Sequence, residues 1–137
     1  MKNIITLLLF CFFTSIALAQ APNKMSFQSV VRDGSGNLVS NSNVGIKISI
    51  LQTSASGTVV FSESHTVLTN ANGLATLEIG NGTNISGTIA GINWATGPYF
   101  LKVESDPTGG TSYTISGTSE LLSVPYALHA ESVSSIA

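Results

Sequence analysis

The sequence has few charged residues. Only 9% of its 137 residues are charged, with five Lys or Arg against seven Asp or Glu, whereas a typical globular domain has about 25%. Binding to nucleic acid needs a basic surface that neutralises phosphates, so this weakly acidic composition excludes that class of partner. Charge-driven disorder is also excluded, because the chain is rich in apolar residues. We therefore expect one folded domain.

Cysteine is nearly absent, and the one that exists lies in an apolar run near the start. Residues 4–18 are almost entirely apolar, contain Cys11 and follow the basic segment Met1-Lys2-Asn3. They are too few for a membrane-spanning helix, which needs about 20 residues. The small residues at Ala17 and Ala19 complete a signal-peptidase site, with cleavage between Ala19 and Gln20.

Residues 1–19 are therefore predicted to be a signal peptide. The mature protein would be secreted, in the periplasm, at the outer-membrane surface or outside the cell. It would have no membrane span and no cysteine, so its stability must come from packing and sheet hydrogen bonds rather than disulfides.

Residues 20–126 read as one all-β domain. Turn signals recur every 8–15 residues, and the runs between them alternate apolar with polar, most clearly at 44–51. Asn72-Gly73 is a hairpin signal. This pattern predicts an antiparallel β-sandwich of seven to eight strands, Ig-like or transthyretin-like. The tail 127–137 lacks glycine and is expected to be a short helix or a linker. The predicted strands are 24–32, 44–51, 59–68, 74–79 and 99–105. Residues 38–39 are a short strand or a strand end, and 112–119 with 121–124 are the last strand or pair of strands.

One turn has the oxygen spacing that begins a calcium loop. Asp33, Ser35 and Asn37 alternate along the chain. An EF-hand needs Gly at the sixth position and Glu at the twelfth, and here those positions hold Leu38 and Val44. We therefore expect a plain β-turn and no metal site.

Glu63 and His65 place a carboxylate and an imidazole on the same side of a predicted strand. A zinc site or an acid–base pair needs at least one more ligand or catalytic group, and the only other histidine is His129 in the tail. No Gly-x-Ser-x-Gly motif occurs. A surface or cross-strand polar pair is the favoured interpretation. A small hydrolase centred on His65 stays the weaker alternative, and we predict no enzyme, no catalytic residues and no cofactor.

Three aromatic residues cluster around a predicted Gly97-Pro98 turn: Trp94, Tyr99 and Phe100. Exposed rings beside loops can stack on sugars or anchor a protein partner. These residues are therefore the candidate ligand or partner contacts, and a carbohydrate-binding module is an alternative function. The favoured interpretation for Trp94 itself is a buried ring that fills the sandwich core.

Several sequence blocks in a fixed order resemble a known family, over nearly all of residues 22–130. The blocks are Phe-Gln-Ser-Val-Val-Arg-Asp at 27–33 with Gly-Asn at 36–37, Val-Val-Phe-Ser-Glu-Ser-His-Thr-Val at 59–67, Asn-Gly-Leu at 72–74 with Ile-Gly-Asn-Gly at 79–82, Ile-Asn-Trp at 92–94 with Gly-Pro-Tyr-Phe-Leu-Lys-Val-Glu at 97–104, and Leu-Leu-Ser-Val-Pro-Tyr-Ala-Leu-His-Ala at 121–130. The chain resembles the N-terminal β-sandwich domain of secreted Bacteroidota proteins, which often precedes fibre-like, collagen-like or repeat regions. The resemblance implies no enzymatic activity and no catalytic residues.

These observations lead to one functional expectation. The protein is predicted to be a secreted, non-catalytic structural or interaction module, acting as an N-terminal docking domain of a cell-surface or extracellular assembly. Its partner would be another protein or a further copy of itself, with a glycan as the alternative. Binding would use loops or an exposed sheet edge, by strand addition.

Overall fold

The computed structural model describes residues 23–122, and this part of the chain is built from β-strands with two short 3-10 turns. The predicted signal peptide with its cleavage site at Ala19 and Gln20, and the predicted tail at 127–137, lie outside the described residues. The seven strands within 23–122 are β1 (Met25–Val30), β2 (Asn43–Gln52), β3 (Thr58–Leu68), β4 (Leu74–Ile79), β5 (Thr83–Ser86), β6 (Tyr99–Asp106) and β7 (Ile115–Glu120).

The strands form two antiparallel sheets. β1 and β4 make a small two-stranded sheet, and the large sheet has the order β5-β3-β2-β6-β7. Apolar side chains of both sheets belong to one buried cluster. The prediction of an all-β antiparallel sandwich is therefore confirmed, while the finer assignment as Ig-like or transthyretin-like stays a prediction.

Strand β2 forms the centre of the core, as its alternation predicts. Ile46, Ile48 and Ile50 are at most 1% exposed, because β2 lies between β3 and β6 and its inner face meets the small sheet. The small sheet contributes the inward side chains of β4 to the same cluster. Burying each isoleucine contributes roughly 1.5–3 kcal/mol of hydrophobic stabilisation, so this stripe accounts for much of the contact between the sheets. The inward residues of β4 are Ala75, Leu77 and Ile79.

A turn lies at Asn72-Gly73 as predicted and joins β3 to β4, but the predicted hairpin is wrong, because these two strands pair in different sheets. Gly73 has a φ of 73°, a left-handed conformation that glycine adopts without strain. The side-chain oxygen of Asn70 accepts hydrogen bonds from the backbone N–H groups of Asn72 and Leu74. This turn sets the direction in which β4 crosses to the small sheet.

The structure makes three of the predicted segments more specific. Leu38 makes a single bridge to Arg32 and is not part of a strand. Of the predicted last strand or pair, the described residues contain β7, and Leu121 and Leu122 lie beyond it. The stretch 80–91, expected to be a loop with at most a short strand, contains β5 and a 3-10 turn at Ile89–Gly91.

Among the described residues, 23–122, no helix is long and apolar enough to cross a bilayer.

Candidate functional site

Within residues 23–122, strand β1 pairs with β4 alone and so has one edge without a neighbouring strand. The N–H of Val31 donates to the carbonyl of Gly73, which continues the same register. In an antiparallel pair the hydrogen-bonded positions alternate, so Phe27 and Ser29 bond β4. The backbone groups of Gln28 therefore point to the opposite, unpaired edge.

The open edge of β1 borders a groove of about 780 Å³. Its floor is the inner face of β6 and β7, where Leu101, Val103 and Ile115 lie side by side, and Phe27 of β1 forms part of the wall. The small sheet has two strands, whereas the large sheet that it faces has five. The small sheet therefore leaves part of the large sheet uncovered. The groove lies where a third strand of the small sheet would run.

The floor of the groove contains a glycine with free space above it. Gly117 pairs with Val103 across β6 and β7, so both residues face the groove. A Cβ built on Gly117 meets no atom within 4 Å, and its φ is not in the left-handed region. The sequence therefore leaves room for an incoming side chain at this point without any need for backbone strain.

Three charged side chains of β2 and β6 lie on the other face of the large sheet. Glu104 forms ion pairs with Lys102 at 3.0 Å and with Lys47 at 3.5 Å. These three residues alternate with the inward residues of β2 and β6, so they point away from the groove. The charged residues that line the groove are Arg32 and Asp33, which follow β1, while the β6 and β7 residues of the floor are uncharged.

A second depression, of about 450 Å³, lies beside the first residue of β1. Its lining includes Met25 of β1, Leu121 just after β7, and Trp94. Because Met25 precedes the β1 residues of the groove and Leu121 follows the β7 residues, the two depressions follow one another along the same two strands. Together we call them the β1–β7 channel.

The interpretation of Trp94 as a core residue is wrong. Trp94 is 47% exposed, because it starts a 3-10 turn, Trp94–Thr96, whose N-cap Asn93 accepts from the N–H of Ala95. That turn lies at the end of the sandwich rather than between its sheets. Of the three candidate aromatic residues, Tyr99 is the buried one, at 5% exposure.

The three candidate aromatic residues do not form one binding platform. Trp94 packs edge-on against Tyr99, with ring centroids 5.1 Å apart, and the Tyr99 hydroxyl donates to the carbonyl of Asn93 at 2.6 Å. Phe100, one residue along β6, projects to the opposite face of the sheet. Only Trp94 therefore offers a large exposed ring.

Glu63 and His65 come together as predicted, but not at the surface. Glu63 is 1% exposed, and its register places it opposite Ile48 on the inner face of the large sheet. One carboxylate oxygen accepts from His65 Nε2 at 2.7 Å and from the N–H of Gly80 at 2.8 Å. The other accepts from the N–H of Gly82 at 3.0 Å. The pair therefore holds the turn between β4 and β5.

This use of the carboxylate bears on the hydrolase alternative. Both oxygens of Glu63 already accept hydrogen bonds from the protein, and the other histidine, His129, lies outside the described residues. Within 23–122, no group of three His, Cys, Asp or Glu side chains is arranged to hold a metal ion. The bonds from Gly80 and Gly82 to Glu63 fix the turn between β4 and β5, and we call this arrangement a clamp.

Two aspartates clamp loops in the same way. Asp33 accepts hydrogen bonds from the N–H groups of Ser35 and Asn37 and from the Asn37 side chain, so the predicted β-turn is present. These bonds, above all the backbone bond from Asn37, lower the pKa of the Asp33 carboxyl. Its oxygens face their own loop, so the spacing of Asp33, Ser35 and Asn37 serves to form the turn.

Asp106, at the end of β6, holds the loop that leads to β7. Its carboxylate accepts from the hydroxyl of Thr108 at 2.6 Å, from the N–H of Thr108 and from the N–H of Ser112. The Thr108 hydroxyl bond is the main cause that lowers the pKa of Asp106. This loop fixes where β7 starts, and so fixes one side of the channel.

Sequence reasoning did not locate the β1–β7 channel. The alternation in 24–32 predicts β1 but not its neighbours, because pairing with β4 joins segments about fifty residues apart. The one local signal is Gly117, a glycine inside a strand, which commonly marks a close approach of another backbone.

The comparisons with known proteins place the chain in a family. Residues 26–119 match the family model described as "Domain of unknown function (DUF8740)". The curated proteins gave no match, and neither did the solved structures. The matched region begins in β1 and ends in β7, so it includes both strands of the channel. The chain therefore belongs to the DUF8740 family.

Proposed function

We propose that this protein is an exported, non-catalytic docking module that joins a cell-surface or extracellular assembly by accepting a β-strand from a protein partner. Export is supported by the signal-peptide pattern of residues 1–19, and the N-terminal docking role by the resemblance to secreted Bacteroidota proteins. The single observation that carries the mode of binding is the unpaired edge of β1 above an open apolar groove.

The chemistry of this edge suits an extended peptide. A strand added to β1 gains backbone hydrogen bonds from the outward-facing N–H and C=O groups, and its alternate side chains enter the groove. The floor residues Leu101 and Val103 are apolar, and the charged residues in the lining, Arg32 and Asp33, follow β1 in the chain. The partner strand is therefore uncharged on its inward face, with apolar residues at every second position.

Photo-crosslinking in the producing cells tests this proposal. A photoreactive amino acid at Gln28, on the open edge, is expected to give a defined adduct in the envelope or extracellular fraction. The same group at Ser56 is the control, because Ser56 is exposed in the loop between β2 and β3 and does not line the groove. Equal adducts at both positions, or protein confined to the cytoplasm, would contradict the proposal.

A carbohydrate-binding function is the second candidate, and the exposure of Trp94 is the observation that favours it. Sugar sites combine an aromatic ring with polar side chains that bond hydroxyl groups. The surroundings of Trp94 are mainly apolar, with Met25, Pro98 and Leu122 beside it, which favours a protein contact. A glycan array compares the two: binding lost in Trp94→Ala would support the sugar site.

A further inference from the structure

We infer that the strand accepted at the open edge of β1 comes from a different protein and carries an acidic residue on its outward face, opposite Arg32. The inference rests on the proposed function and deepens it, because it names the chemistry by which the partner strand is recognised and held in register. It draws on the direction of the side chains along β1 and on the charges at the two ends of that strand.

The outward side chains of β1 form a row that is neutral in the middle and basic at its ends. Side chains alternate between the two faces of a strand. Met25 and Phe27 pack against the core cluster, so the residues between them face outwards. Lys24 comes directly before β1, and Arg32 follows its last residue by two positions. The full row is Lys24, Ser26, Gln28, Val30 and Arg32.

The backbone of Arg32 continues the open edge beyond the end of β1. Within residues 23–122 it takes part in one bridge, to Leu38. The hydrogen bonds that frame this bridge are made by the backbone groups of Val31 and Asp33, on either side of Arg32. Because bonded positions alternate in an antiparallel pair, the N–H and C=O of Arg32 point to the same open edge as those of Gln28.

The guanidinium of Arg32 has donors to offer an incoming carboxylate. It donates to the carbonyl of Gly36 at 2.8 Å, whereas an arginine side chain has five N–H donors. The adjacent carboxylate, that of Asp33, accepts hydrogen bonds from N–H groups of its own loop. A carboxylate on a neighbouring strand can therefore bond Arg32 without displacing an existing ion pair.

Arg32 differs in this respect from the other basic residues of the described chain. Among residues 23–122, it is the one Lys or Arg with no carboxylate at ion-pair distance. The free positive charge thus lies at one end of the docking edge. The three paired lysines are Lys24, which lies beside Glu78, and Lys47 and Lys102, which lie beside Glu104.

The same charges disfavour a second copy of this chain as the source of the strand. Two copies of β1 that pair antiparallel about Gln28 place Lys24 of one copy opposite Arg32 of the other. Like charges at directly opposed positions destabilise a strand pair, and basic residues on an edge strand discourage pairing between identical edges. Residues 23–32 contain no Asp or Glu, so no other register of β1 against β1 supplies an acid for Arg32.

An antiparallel partner strand has its acidic residue at the beginning of the paired segment. Antiparallel pairing is slightly more stable per residue than parallel pairing. In this direction the strand starts opposite Arg32 and runs towards Met25, with its inward side chains entering the groove. A slip by two residues would move the acid away from Arg32, so the ion pair fixes the register.

Three synthetic peptides with acetylated and amidated ends test the inference. They share the sequence Val-Thr-Phe-Thr-Val-Ser, preceded by Glu, Gln or Lys, and their binding to the purified protein is measured by calorimetry. The Glu peptide is expected to bind about threefold more tightly than the Gln peptide and about tenfold more tightly than the Lys peptide. Arg32→Glu should reverse this order. Lys102→Glu makes the same change in net charge on the outer face of the large sheet and should preserve the order.

The outcomes separate this inference from the proposed function. Reversal of the order by Arg32→Glu, but not by Lys102→Glu, supports the inference. Equal affinities of the Glu and Gln peptides, or an order that Arg32→Glu leaves unchanged, overturn the inference while the docking edge stands. If none of the peptides binds at about 1 mM, the edge does not accept an alternating strand, and the inference fails together with the proposed mode of binding.

The adduct captured by the photoreactive group at Gln28 gives a second readout, from the natural partner. Arg32 follows Gln28 by four residues, so mass spectrometry should find an Asp or Glu about four residues before the crosslinked residue of an antiparallel partner strand. Arg32→Glu should lower the adduct yield about tenfold, and Lys102→Glu should not. A partner without an acid at that place, or a yield that Arg32→Glu leaves unchanged, would overturn the inference.

Sedimentation velocity tests a second copy as the source of the strand. The unchanged protein is expected to form no dimer through β1 at about 100 µM. Gln28→Pro removes an N–H group from the open edge, so it identifies a dimer that uses this edge. A dimer of the unchanged protein that Gln28→Pro dissociates, with the fold checked by circular dichroism, would overturn the inference, and its absence supports a different protein as the partner.

Discussion

Glu63 and His65 lie two residues apart on β3 and share a 2.7 Å hydrogen bond between Oε1 and Nε2 inside the sandwich. The same carboxylate accepts from the N–H groups of Gly80 and Gly82. One buried side chain thus connects the centre of the large sheet with the turn through which β4, in the small sheet, returns to β5. The clamp therefore couples the two sheets at the side opposite the open edge of β1.

The first prediction concerns the stability that Glu63 contributes. Glu63→Ala leaves the N–H groups of Gly80 and Gly82 without their acceptor in a buried site, and breaking such a cluster from one side costs about 3 kcal/mol. The free energy of unfolding from urea titration measures it. Glu78→Ala is the control, because Glu78 is exposed and its contact with Lys24 is a surface ion pair worth at most about 1 kcal/mol. Equal losses in the two variants would contradict a clamp at Glu63.

The second prediction compares two glycines. A Cβ on Gly82 would lie 2.5 Å from His65 Nε2 and 2.8 Å from the carbonyl oxygen of Ser64, so Gly82→Ala must displace the turn from the clamp. We expect a loss of about 1–3 kcal/mol in the free energy of unfolding. Gly117→Ala adds a methyl group into free space within a strand and should be neutral, or stabilising by up to about 1 kcal/mol. The opposite order of stabilities, measured by urea titration, would show that the turn is not packed as described.

The third prediction concerns acid stability. The pKa of Asp106 is lowered from its ordinary value of 3.8, mainly by the Thr108 hydroxyl and also by backbone N–H groups. The folded state therefore favours the carboxylate, and this contribution is fully present above pH 3.8 and is lost as the pH falls below it. Asp106→Asn should lower the melting temperature at pH 6 and reduce its fall between pH 6 and pH 3. An unchanged pH profile would mean that Asp106 does not hold the loop.

How much of this could be read from the sequence depends on the range of each interaction. The alternation of Val44, Ile46, Ile48 and Ile50 predicts β2 and its buried face, because side-chain direction in a strand depends only on neighbouring residues. The turn at Asn72-Gly73 is local in the same way, and both are confirmed by the structure. The hairpin expected at that turn is wrong, because β3 and β4 pair in different sheets.

The errors come from non-local contacts. Trp94 is exposed because a 3-10 turn carries it beyond the end of the sandwich, and no pattern around residue 94 indicates which residues will surround the ring. Glu63 is buried because the turn at Gly80 and Gly82 arrives from another part of the chain and supplies donors. The open edge of β1 likewise depends on which strands pair, and strand pairing leaves little trace in local sequence.

The last prediction tests the open edge directly with proline. The N–H of Ser29 bonds β4, whereas that of Gln28 points to the unpaired edge. Proline removes the N–H, so Ser29→Pro should lower the free energy of unfolding by about 1–3 kcal/mol more than Gln28→Pro. Urea titration of the two variants gives this difference, and their adjacent positions in one strand make each the control of the other. Because Gln28→Pro also removes a donor that an added strand would use, it should weaken any contact made at this edge while the domain stays folded. A larger loss of stability for Gln28→Pro than for Ser29→Pro would show that the N–H of Gln28, and not that of Ser29, bonds β4. The partner strand could then not add to β1 at Gln28.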